Sequence, residues 1–101
     1  MNKLDAEKIA LKYVAERQVA ANCELQIISE LTQEERFGWV FYYDAKKYIE
    51  TGNPKFAIGG NAPIIIDAQT GNIEETGTAH PVEYYIELYK LHGTCHPKRS
   101  K

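Results

Sequence analysis

Cysteine is scarce in this chain. Cys23 and Cys95 are the only two, too few for a disulfide framework. Long apolar runs are missing as well: none approaches the ~20 residues that cross a bilayer. The N-terminus, Met1-Asn2-Lys3-Leu4-Asp5, is charged and then amphipathic, without the apolar stretch of a secretory signal. These absences predict a cytoplasmic location, free thiols and no membrane partner.

Excess positive charge is also lacking. Lys and Arg number 12 against 14 Asp and Glu, for a formal charge of −2. Three of the cations, Lys98, Arg99 and Lys101, sit at the C-terminal end, so the rest of the chain is distinctly acidic. An acidic body repels phosphate and predicts no nucleic-acid partner. The basic end reads as a flexible, solvated tail over residues 96–101. It follows a single domain over residues 1–95.

What is present is the composition of one globular domain: 101 residues, 44% apolar and 26% charged. Tyrosine occurs seven times, and its apolar body and polar tip suit interfaces as well as cores.

Ala6, Ile9, Ala10, Tyr13, Val14 and Arg17 recur at steps of three and four. That spacing predicts a helix over 5–21, with Asp5 as N-cap and Asn22 ending it in a left-handed conformation. Residues 24–31 alternate like a half-buried strand. The polar run from Thr32 to Arg36 reads as a turn. Residues 37–43 are apolar on both faces, with Phe37, Trp39, Phe41 and Tyr43 on one side and Val40 and Tyr42 on the other. They predict a central strand.

Residues 44–61 suggest a helical turn ended by Gly52, then an ordered loop. Pro63 suits the start of a third strand over 62–68. Gly71 supplies the positive φ of a hairpin into a fourth strand over 72–76, ended by Gly77 and Thr78. Pro81 suits the first turn of a helix over 81–91, with Val82, Tyr85, Ile86 and Tyr89 as its buried stripe and Gly93 as its stop. The order helix, four strands, helix predicts an α+β domain of two layers. A largely antiparallel four-stranded sheet would be covered on one face by both helices.

Catalytic groupings are weak. His92, Cys95 and His96 offer at most three metal ligands beside a chain end, so no metal site is expected. Pairing Cys23 or Cys95 with His80 lacks a feature that would lower the thiol pKa. Glu74 and Glu75 are neighbours on a strand and point to opposite faces, and Glu34 and Glu35 lie in an exposed turn. Gly59-Gly60-Asn61 lacks the Lys-Ser/Thr of a phosphate loop; Asn61 is expected to hydrogen-bond nearby backbone. No enzyme and no cofactor are expected.

One feature points outward. On a two-layer fold, Ile28, Val40, Tyr42 and Ile65 would form an apolar sheet face away from the helices. Either Tyr48, Phe56 and Ile58 of the long connection fold over it, or it serves as a partner or homodimer surface rimmed by Glu24, Glu30 and Glu75.

Several runs carry a family resemblance. Trp39-Val40-Phe41-Tyr42, Tyr48-Ile49-Glu50-Thr51-Gly52 and Gly60-Asn61-Ala62-Pro63-Ile64-Ile65-Ile66-Asp67 are followed in order by Thr70-Gly71, Gly77-Thr78-Ala79, Pro81 and Tyr85-Ile86. Over residues 36–90 the chain resembles the immunity protein 35 family, which includes YrhB-like bacterial proteins. The resemblance implies a small cytosolic protein of a bacterial polymorphic toxin system that neutralises a cognate toxin by binding it. It also implies, as an alternative, a heat-stable, chaperone-like role. Trp39, Gly60, Asn61, Pro63, Gly71, Gly77, Thr78 and Pro81 look like fold determinants. Glu34, Glu35, Tyr42, Tyr48 and Glu75 are the candidates for partner contact, as tyrosine anchors and steering charges.

Overall fold

A computed structural model describes residues 1–97. Three helices and six short strands follow in the order α1 (Lys3–Ala21), β1 (Leu25–Ile27), β2 (Gln33–Glu35), β3 (Gly38–Phe41), β4 (Tyr43–Ala45), α2 (Lys46–Thr51), β5 (Ile64–Asp67), β6 (Ile73–Glu75) and α3 (Val82–His92). Short 3-10 turns occupy Ser29–Leu31 and Pro54–Phe56. The class is α+β.

The first helix begins earlier than its apolar stripe. Asn2 is the N-cap: its side chain accepts the Asp5 N–H at 2.9 Å, and the Asp5 carboxylate accepts the Asn2 N–H in return. Asp5 is therefore the distal half of a capping box, not the cap itself. Asn22 ends the helix at φ 54, in the left-handed region.

The central apolar stretch is two strands, not one. Residues 38–41 pair with β2 on one side and β5 on the other, in a four-stranded antiparallel sheet of order β2-β3-β5-β6. After Tyr42 the chain changes partner, and β4 joins β1 in a separate antiparallel ribbon. At that point β5 has not begun, and the Asn61 side-chain amide takes the Tyr43 carbonyl at 2.9 Å in place of a strand. The segment expected as a turn, 32–36, holds edge strand β2. Of the strand expected over 24–31, only Leu25–Ile27 is extended before the chain coils into its 3-10 turn.

The helices lie on opposite faces of the four-stranded sheet. Ala6, Ala10 and Val14 of α1 pack with Trp39, Phe41, Ile64 and Ile66. Tyr85, Ile86 and Tyr89 of α3 pack with Val40 and Ile65. Alternate residues of a strand point to opposite faces, so the molecule has three layers, not two. The apolar face built on Val40 and Ile65 is covered by α3. The long connection lies elsewhere: Tyr48 and Ile58 pack against the α1-side core. Val40, Phe41, Ile64, Ile65 and Ile66 are essentially inaccessible, each contributing roughly 1.5–3 kcal/mol through burial.

Two glycines make this packing feasible. Gly71 closes the β5–β6 hairpin at φ 74, as its position in the turn requires. Gly38 lies so close to β5 that a Cβ would sit 2.0 Å from the Ile66 carbonyl oxygen.

Candidate functional site

The expected contact residues separate into three places. Glu34, Glu35 and Tyr42 share one edge of the four-stranded sheet. In the β2–β3 register Glu34 faces Trp39 and Glu35 faces Gly38. Tyr42 follows β3 directly, packs against the α3-side core and donates its hydroxyl to the Gln33 side chain. Glu75 belongs to the far edge strand, β6. Tyr48 lies on α2, half-buried against the other core.

Helix α3 completes the first edge with carboxylates that no spacing along the chain groups with it. Burial raises the Tyr42 phenol above its ordinary pKa, and the charges of Glu83 and Glu35 raise it further. Glu83 on α3 and Glu35 on β2 thus flank Tyr42 from two elements. Lys90 bridges Glu35 at 3.7 Å and Glu87 at 3.5 Å. The result is an acidic surface of Glu35, Glu83 and Glu87 beside a half-buried tyrosine, whereas Glu34, opposite Trp39, points to the other face of the sheet. Sequence spacing could not assemble it, because β2 and α3 are about half the chain apart.

The β6 edge is organised differently. Glu75 accepts the Tyr13 hydroxyl and lies 3.5 Å from Arg17, so its side chain turns toward α1. Burial, then this carboxylate, raises the Tyr13 pKa. Glu74 turns the other way. Its Oε1 accepts the Thr94 hydroxyl and the Cys95 N–H. Burial opposes ionisation of Glu74, but these donors and the nearby His96 hold its carboxyl below the ordinary value. The two adjacent carboxylates do not converge.

The Cys95 thiol is buried, and burial together with the Glu74 carboxylate pushes its pKa up to about 12. An activated nucleophile needs the opposite shift. His80 stacks on the Tyr84 ring at 4.0 Å between centroids, an arrangement of packing. His92 is exposed in the last turn of α3.

Asp44 was not anticipated and is among the most buried polar residues. Its carboxylate accepts the N–H groups of Ala45 and Ile58 and the Asn61 side-chain amide. It anchors the long connection after β4. Asn61 has the backbone-binding role expected of it, through the Tyr43 carbonyl.

No described helix is long and apolar enough to cross a membrane. The model of a family described as immunity protein 35 matches residues 4–87. The chain is 36% identical over 70 residues to the uncharacterized protein YrhB of Escherichia coli strain K12, covering 69% of this chain and 74% of that one. No solved structure matches.

Proposed function

We infer that this chain, which belongs to the immunity protein 35 family, acts by binding a cognate protein toxin and occluding it, without chemistry of its own. The observation that carries this reading is the acidic surface where β2 meets α3. Three carboxylates, Glu35, Glu83 and Glu87, gather beside Tyr42 there, and Lys90 is paired with two of them. A negative surface with an aromatic centre attracts a basic partner and supplies one anchoring side chain. A toxin whose substrate is polyanionic carries a basic cleft, so this surface would compete directly for it.

The chaperone-like alternative has less support. A holdase needs an accessible apolar surface, and the sheet face that would have supplied one lies under α3. The same covering removes the ground for a homodimer built on that face.

The test is co-expression with each toxin candidate sought among the products of neighbouring genes. The wild-type chain restores growth, whereas Glu83→Lys with Glu87→Lys does not, although the variant folds. Equal protection by the variant would contradict a role for this surface. No protection by the wild-type chain would contradict the toxin-binding reading itself.

A further inference from the structure

The hairpin β5–β6 and the segment after α3 bring three metal-ligating groups together. The Glu74 carboxylate, the Cys95 sulfur and a ring nitrogen of His96 all lie within 4.8 Å of one another. Glu74 comes from β6, some twenty residues before the other two. The sequence offered His92 as a companion for Cys95 and His96; the fold substitutes Glu74.

We propose that Glu74, Cys95 and His96 form a binding site for a divalent transition-metal ion of the zinc class. The donors are one sulfur, one nitrogen and one oxygen, a set that suits zinc and not calcium or magnesium, which take oxygen ligands. Two of the three ligands are anionic when bound and match the charge of a divalent cation.

The surroundings already hold the ligands in place. Thr94 and the Cys95 N–H fix the Glu74 carboxylate. His96 Nε2 lies 2.6 Å from the Glu75 carbonyl oxygen. A ring that donates through Nε2 keeps its lone pair on Nδ1, and a hydrogen bond from one ring nitrogen to a carbonyl is how metal-binding histidines are commonly oriented. Tetrahedral ligands stand roughly 3.5 Å apart, so closing the cluster takes side-chain movements of about an ångström. His96 is exposed, so its ring can make that movement toward the buried Cys95 and the hydrogen-bonded Glu74 carboxylate.

Binding replaces the thiol proton with the metal and releases that proton to solvent. Three protein ligands leave a fourth position open to water or to a partner's side chain. The bound ion would also tie the C-terminal segment to the β6 edge.

The experiment uses the full, tag-free chain titrated with cobalt(II), whose thiolate bond gives a charge-transfer absorption. One equivalent should produce that band. It should persist in Cys23→Ser and vanish in Cys95→Ser. Because Cys95 is part of the core, His96→Ala and Glu74→Gln serve as the variants that retain the fold. Each should weaken binding by about 10-fold or more. Zinc should compete the cobalt signal away. Absence of the band in the wild-type chain, its loss in Cys23→Ser, or unchanged affinity in both His96→Ala and Glu74→Gln would overturn the proposal.

Discussion

The Asn61 side-chain amide donates to the Asp44 carboxylate at 3.0 Å, across the whole of the connection that follows β4. The same amide takes the Tyr43 carbonyl at 2.9 Å. One side chain therefore satisfies the strand that has just ended and the buried acid that anchors the loop. Removing it leaves a buried carboxylate short of a donor. Asn61→Ala should cost about 1–3 kcal/mol, read from the denaturant midpoint. A midpoint equal to that of the wild-type chain would show that the pair does not hold the loop.

Gly38 should tolerate no side chain. A Cβ there would meet the Ile66 carbonyl oxygen at 2.0 Å and the Ala68 nitrogen at 2.9 Å, both backbone atoms, and φ is +152. Gly38→Ala must push β3 away from β5 in the middle of the sheet. A loss of about 3 kcal/mol or more is expected, measured by thermal or chemical unfolding. Full stability in this variant would mean that the β3–β5 spacing is wrong.

The sequence carried the helix periodicities but not the faces the helices cover. The stripe of α1 and that of α3 are each legible, and nothing in either says which side of the sheet receives it. A signal for three layers was nevertheless present. Ile64-Ile65-Ile66 is apolar without alternation, and residues 37–43 are apolar on both sides. Strands buried on both faces read that way. The break at Tyr42 was not legible, because it depends on where β5 begins and on the reach of Asn61. Glu74 looked like a surface carboxylate for a similar reason: its companions, Thr94, Cys95 and His96, arrive only when the segment after α3 folds back on β6.

Acid should separate the wild-type chain from Tyr89→Phe in a defined direction. The Tyr89 hydroxyl donates to Asp67 Oδ2 at 2.7 Å, and this bond is the main reason the Asp67 carboxyl lies below its ordinary value. A depressed carboxyl stabilises the fold above its unfolded pKa and loses that contribution as pH falls through the folded one. The advantage over Tyr89→Phe should be about 1 kcal/mol and constant above ~pH 4, then shrink in stronger acid. Unfolding curves across that range check the sign. An advantage that grows on acidification would contradict it.

The two thiols should react at very different rates. Cys23 is half-exposed after α1, whereas Cys95 is buried with its pKa pushed up to about 12. A thiol reagent at neutral pH should modify Cys23 in the native protein and Cys95 only on unfolding. Cys23→Ser should remove the fast phase. A rapid reaction remaining in that variant would mean that the segment carrying Cys95 is open.

The most direct test of the account is calorimetric titration of the chain with a purified toxin domain identified by pull-down from the products of neighbouring genes, at low and at raised salt. Saturable one-to-one binding is predicted, weakening as salt increases and falling at least ~10-fold in Glu83→Lys with Tyr42→Ala. Affinity indifferent to salt and to both substitutions would contradict the assignment of the β2–α3 surface. No binding at all would contradict the toxin-binding account as a whole.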